Sequence, residues 1–394
     1  MTSPHAPRFA RFPRFVADVP IVIGLTTGAM VLAHLSPAAP AGSGVALLWS
    51  VWLIACIVAC SFRAMTHADA LAEKFGEPLG TLILTISAIT IEVAAVCAIM
   101  LGSDGDTTVA RDTMFAVIMV ILNLLIGGAM LIGGLRRSEQ EFNPQSAGSY
   151  LPLIVALVTI TLVLPRLTTS EQGGWMSAPM EFFVGVASLG IYGVFLWMQT
   201  TRHREFFANH GKTERESSDL REAISAHDPS LAVHHELPTW LSTVLLIAAL
   251  VAVVMIAEGL AGRVNTLLAT FYIPKAIGGV FIAVLVLAPE GFAALRASGR
   301  DDMQRAINIL LGSAVATIGL TVPAVMVIRW ITGVSPELGL EPPFIALLAA
   351  TVVVASINLV RGKVNAMQGF VHLLLFLAWI ITILDQGAVP MSDS

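Results

Sequence analysis

Charge is what this sequence has little of. Only 12% of its 394 residues are Asp, Glu, Lys or Arg, against roughly a quarter in an ordinary soluble domain. With 56% of its residues hydrophobic, the chain cannot cover a water-soluble globule. The net charge of −5 names no partner, and nothing points to nucleic acid. Cysteine is scarce as well. Cys56, Cys60 and Cys97 lie in apolar segments without a neighbouring histidine, which marks them as packing residues rather than metal ligands. Two protease signatures are missing. His234-His235-Glu236 lacks the second histidine of a zinc-protease helix. Every Asp sits in a loop, at a terminus or at a span end, so an intramembrane aspartyl protease is excluded and no enzyme is expected. The first apolar run has no clear small-residue cleavage site after it and reads as a span, not a signal peptide.

Apolar runs near the ~20 residues that cross a bilayer are abundant. Eleven spans are expected near 19–35, 45–64, 79–101, 113–135, 150–167, 179–200, 239–260, 273–295, 304–330, 343–360 and 365–384. The fold class is therefore an all-α polytopic membrane protein with the bilayer as its partner. Among the basic residues only Arg111, Arg166, Arg263, Lys275 and Arg329 fall on one set of connections; all the others fall on the opposite set. The positive-inside rule then puts the N-terminus in the cytoplasm and the C-terminus outside.

Two stretches share one layout. Gly80 to Glu92 (GTLILTISAITIE) and Gly278 to Glu290 (GGVFIAVLVLAPE) each run from a glycine through apolar sequence to a glutamate. Downstream, Asn123 opens NLLIGGAMLIGGL and Asn308 opens NILLGSAVATIGL. The chain thus divides into residues 1–44 (tail and first span), 45–200 (first five-helix repeat), 201–238 (an acidic, histidine-rich cytoplasmic linker) and 239–394 (second five-helix repeat). Five spans are an odd number, so the second copy enters from the opposite side. One helix plus two inverted five-helix repeats is the expected architecture, with a binding site between the copies near the midplane.

An ionised side chain costs several kcal/mol, roughly 2.5–3.5 on insertion scales, within a span and marks an ion or proton path. Glu92 and Glu290 are the candidate cation- and proton-binding pair. Two facing carboxylates in a desolvated site cannot both ionise cheaply, and a hard cation such as Ca²⁺ favours the deprotonated pair. Cation arrival expels protons and protonation expels the cation, which is the basis of antiport. Asn123 and Asn308 either offer carbonyl oxygens or bond helix to helix. Thr85, Ser313 and Thr317 add hydroxyls on the same faces. Glu73 and Glu77 form either a cytoplasmic mouth or a solvated face. The linker reads as a solvated helix, with cation or pH sensing through its histidines as the alternative.

GEPLGTLILTISAITIEV (76–93), LAPEGFAAL (287–295), NILLGSAVATIGLTVP (308–323) and LRRSEQEFN (135–143) resemble the bacterial calcium–proton antiporters of the cation/proton exchanger group, within the calcium/cation antiporter superfamily. The resemblance implies one plus five plus five helices, alternate binding of cation and protons by Glu92 and Glu290, and a bacterial inner membrane. It implies no cofactor beyond the transported Ca²⁺ and H⁺. Many exchangers of the group carry Gly-Asn-Ala before each glutamate and a histidine after the second. Here Ala88-Ile89-Thr90-Ile91 and Leu287-Ala288-Pro289 stand in those places, and Gly291 follows Glu290. Members of this branch are associated with Na⁺ and K⁺ too, so the choice among small inorganic cations stays open, as does homo-oligomerisation. A passive channel is the remaining alternative.

Overall fold

The computed structural model describes residues 18–37, 43–75, 87, 89–90, 93, 107–169, 171, 173–200, 237–271 and 273–387. The described helices are α1 (Val19–Leu32), α2 (Gly44–Phe75), α3 (Val109–Met119), α4 (Ile126–Arg136), α5 (Pro144–Val158), α6 (Leu164–Leu167), α7 (Ala178–Thr200), α8 (Thr239–Thr270), α9 (Lys275–Val286), α10 (Ala288–Gly299), α11 (Met303–Thr332), α12 (Pro342–Leu359) and α13 (Ala366–Gly387). π-Helical turns at Val120–Leu125 and Thr159–Val163 join α3 to α4 and α5 to α6. Among the described residues, eight continuous spans are long and apolar enough to cross a membrane, and α9 with α10 forms a ninth that is bent. The shorter α1 is also apolar. Each covers an expected span, but α2 runs on to Phe75 where an end near 64 was expected, and α8 to Thr270 where an end near 260 was expected. The third expected span, near 79–101, lies almost wholly outside the described residues. Residues 201–236 of the linker also lie outside them.

Among the described residues, the only departure from an all-helical chain is a two-residue antiparallel ladder. It pairs Gln140 with Val364 and Glu141 with Lys363, and so ties the α4–α5 connection to the α12–α13 connection. The same face carries Asp18 bound to Arg63 and His67 and Arg137 bound to Asp301. The opposite face carries Arg111 bound to Glu337 and Arg329 bound to Glu181. These pairs stand near the two ends of the helices, and Arg111 and Glu181 are buried there.

The interior is divided. A smaller core joins α1, α2 and α8, with Leu53, Cys60, Ala64, Ala249 and Ile256 at its centre. A larger core takes in α3, α4, α5, α7 and α10 through α13. Helix α9 belongs to both: Ile282, Leu285 and Val286 pack into the smaller core, while Val280 and Ala283, with Leu287 just past its end, pack into the larger. The α3–α4 span is the most buried of the described spans and α11 follows it. Cys56 and Cys60 are buried and free, and Cys60 Sγ bonds the Pro20 carbonyl at 3.3 Å.

In lipid the hydrophobic effect does not hold helices together, so close packing must. Glycine supplies it between α4 and α13. A Cβ on Gly369 would lie 2.6 Å from the Gly127 carbonyl oxygen and from the Leu131 amide nitrogen. One on Gly127 would lie 2.8 Å from His372 Cβ. Gly319 of α11 meets Tyr192 of α7 in the same way, at 2.7 Å.

Candidate functional site: a buried carboxylate at a broken helix

The second of the two matched acids stands at a break. Pro289 has no N–H, and its ring opposes the carbonyl four residues back, so a helix arriving at Leu287 cannot run straight through it. Helix α9 ends at Val286, and α10 begins at Ala288 with its proline in the first positions, where a missing N–H is harmless. The two halves meet at 60°. Glu290 lies in the first turn of α10, the end of the half-helix where unpaired amides and the macrodipole favour negative charge. It is buried, at 9% exposure. Its Oε2 has no hydrogen-bond partner among the described residues. An enclosed carboxylate oxygen without a donor is costly, and a proton or a cation relieves that cost.

The π-helical turn and α4 form the wall beside it. A Cβ on Gly291 would fall 2.8 Å from Leu125 Cδ2 and one on Gly128 3.3 Å from Leu295 Cδ2, so α10 lies directly against them. Ser298 Oγ donates to the Ala129 carbonyl at 2.6 Å, and Gln140 Nε2 donates to the Ser298 carbonyl at 2.8 Å. These bonds hold the far end of α10 along α4.

Glu92, Thr85 and Glu77 lie outside the described residues. Glu73 falls in the last turns of α2, with its side chain outside the described set. The described neighbours of Glu92 in sequence are informative. Ile89 is buried in the larger core, and Val93 packs against it.

The asparagines differ in position and in use. Asn123 sits in the π-helical turn, the fifteenth residue of the span Val109–Arg136. Asn308 is the sixth residue of α11 (Met303–Thr332). Matched in sequence, they do not lie at matched depths. Each helix start is set by its own local geometry, and Asp302 caps α11 by accepting from the Arg305 amide at 3.0 Å. Asn123 is fully buried and its amide is engaged between helices. Nδ2 donates to Thr351 Oγ1 at 2.8 Å, and Oδ1 faces His372 Nδ1 at 3.2 Å. Asn308 Oδ1 accepts from Ser146 Oγ at 2.6 Å and from Gln304 Nε2 at 3.0 Å. Thr317 is buried and donates to the Ser313 carbonyl at 2.8 Å. Ser313 itself is half-buried. Thr317 is the residue of α11 that matches Asn123 in depth.

Three groups escape a sequence reading. Arg111, buried at the start of α3, donates to Asp112 Oδ1 at 2.8 Å and to Glu337 Oε1 at 2.7 Å. It lines a cavity of about 420 Å³ with Asp112, Pro274, Glu341 and Gln386. Glu181 of α7 pairs with Arg329 of α11. His372 is buried within α13. The pairs Arg111–Glu337 and Glu181–Arg329 join residues far apart in the chain and leave no local signal. His372 does leave one, because an ionisable residue inside FVHLLLFLAW is conspicuous.

The chain matches the sodium/calcium exchanger protein family over residues 45–201 and 241–384. It is 35% identical over 377 residues to a putative ionic transporter, y4hA, of Sinorhizobium fredii, covering 95% of this chain and 97% of that one. It is 34% identical over 327 residues to the sodium-potassium/proton antiporter ChaA of Escherichia coli, covering 83% and 86%. The crystal structure of a selenium-substituted Ca²⁺/H⁺ antiporter protein, YfkE, superposes on 94% of this chain and 99% of its own with a TM-score of 0.69 at 15% identity, which is a likeness of fold. A broken apolar span with a buried acid, embedded in that fold and matched along both halves, makes this chain a member of the sodium/calcium exchanger protein family.

Proposed function

We propose that this protein is a secondary active cation/proton antiporter that exports Ca²⁺ in exchange for H⁺, with Glu92 and Glu290 as the alternating binding groups. The observation that carries the reading is the Glu290 carboxyl, buried at the first turn of a broken half-helix with an oxygen left without a donor. One proton or one cation fills that oxygen, and both cannot do so together. Each filled form is neutral enough to cross, and the empty form is held back by its charge. The seam between the two cores runs through α9, so rocking one body against the other exposes the acid to alternate sides. Thr85, Thr317, Ser313, Asn308 and Asn123 are supporting groups by proximity in the pattern, with Glu73 and Glu77 at a cytoplasmic mouth. The protein works in a bacterial inner membrane with its N-terminus in the cytoplasm, as one helix plus two inverted repeats. It performs transport, with no chemical conversion.

A second reading, Na⁺ or K⁺ exchanged for H⁺ at the same acids, is favoured by the relative at 34% identity whose name is sodium-potassium/proton antiporter. Purified protein in liposomes loaded with a pH-sensitive dye separates the two. Under an imposed pH gradient, Ca²⁺, Na⁺ and K⁺ are added in turn to the wild type, Glu92→Gln and Glu290→Gln. The expected outcome is cation-dependent proton flux that falls by about 100-fold in both variants, the loss of one charged ligand at ~3 kcal/mol. The order of cations decides the substrate. Flux that survives both substitutions defeats the proposal.

A further inference from the structure

A chain of hydrogen bonds crosses three helices beside the exchange site, and its direction is determined. Asn123 spends its Nδ2 on Thr351 Oγ1 at 2.8 Å, which leaves Oδ1 turned toward His372 Nδ1 at 3.2 Å. An amide oxygen can only accept, so Nδ1 must carry the proton. On the other side of the ring Asn358 Nδ2 stands 3.3 Å from His372 Nε2. A donor facing that nitrogen requires it to be bare. The imidazole is thus satisfied as the neutral Nδ1–H form, and a second proton would set N–H against N–H.

Among the described residues, the groups facing His372 are uncharged. Helix α12 carries no charged residue within Pro342–Leu359. The charged residues on the other elements packed against α13 are Arg111 and Asp112 of α3, Arg136 of α4 and Lys275 of α9. With Asp385 of α13 itself, they all stand at or near helix ends.

Through Asn123 the ring is bonded to the π-helical turn itself. Gly127, one turn on, lets α4 approach His372 closely. The same turn presents Leu125 to Gly291, the residue after Glu290. We propose that His372 is a positioning residue of the exchange site: a neutral Nδ1–H imidazole that holds the turn Val120–Leu125 in register and so sets the wall against which Glu290 lies. It handles no proton of the exchange. The inference rests on Glu290 being the cation- and proton-binding acid.

Three variants in the proteoliposome assay test it. His372→Asn keeps an N–H donor near the Nδ1 position and cannot titrate. His372→Gln keeps a polar atom near Nε2 and removes the bond to Asn123. Thr351→Val preserves shape and removes the other anchor of Asn123. His372→Asn is expected to retain the wild-type pH profile and a cation KM within about threefold. The other two are expected to raise KM about tenfold, equal to ~1.4 kcal/mol and to one buried hydrogen bond, with kcat within about threefold. If His372→Asn changes the pH profile or loses transport as fully as His372→Gln, the histidine carries protons and the proposal falls. A wild-type KM in both His372→Gln and Thr351→Val also overturns it. Glu290→Gln is measured alongside: activity in that variant defeats the reading of the acid, whereas its inactivity with unmoved KM values in the other two defeats only the positioning role.

Discussion

At the scale of single residues, the molecule keeps a few charges where the bilayer penalises them, and each is answered in a different way. Glu290 keeps an oxygen without a donor among the described residues, the one that the proposed cargo would fill. Glu181, almost wholly buried, is answered by Arg329, whose Nε also donates to Ser335 Oγ at 2.9 Å. Removing one partner of such a pair strands the other, at a cost of about 3–5 kcal/mol. Arg329→Ala should therefore lower the unfolding temperature in detergent sharply, and adding Glu181→Gln should recover most of the loss. Thermal melts of the two variants and the wild type measure this directly. Glu290 was legible in the sequence because an acid closing an apolar run is anomalous by itself. The pairing of Glu181 with Arg329 was not legible, since each residue alone looks like an ordinary charge near a span end.

At the scale of elements, the described spans were legible in place, because each must bury about 20 apolar residues in succession, but hydropathy did not show that α2 and α8 continue to Phe75 and Thr270. Their irregularities were legible only in part. The Gly and Pro cluster around Gly278–Gly291 signals a broken or tightly packed helix, and the break follows from Pro289. The two π-helical turns have no such marker. Packing between α4 and α13 depends on glycine against backbone, a contact that cannot yield by turning a side chain. Gly369→Ala should destabilise the protein by about 1–3 kcal/mol, as overpacking does. Gly190→Ala, on α7 with open space around the site, should leave stability unchanged or raise it slightly through helix propensity. Paired melts of the two alanine variants read the difference. A Gly369→Ala protein as stable as the wild type would mean that α4 and α13 can slide apart freely.

At the scale of the whole molecule, two cores share one broken helix. The body of α1, α2 and α8 touches the larger body along α9 and also where Phe62 of α2 meets Phe292 of α10 edge to face, with ring centroids 5.8 Å apart. If exchange requires these bodies to rock, tying them together should stop it. In a background lacking Cys56, Cys60 and Cys97, a link between Phe62→Cys and Phe292→Cys formed by a short bifunctional thiol reagent should abolish cation-dependent proton flux. Either single cysteine, treated alike, should retain it. Full flux in the linked protein, with linkage verified by mass, would show that the contact does not move.

The sequence by itself determined that this chain lives in a bilayer, where its spans run, and that its acids are anomalous, because hydropathy and the cost of a buried charge are local properties. Only the tertiary structure decided which bodies those spans form and what each polar group does. It separated Asn123 from Asn308, which the sequence had matched, giving one to a hydrogen-bonded cluster with His372 and Thr351 and the other to Ser146 and Gln304. The reason is physical: a buried polar side chain takes its role from the partner that satisfies it, and those partners stand on helices far away in the chain.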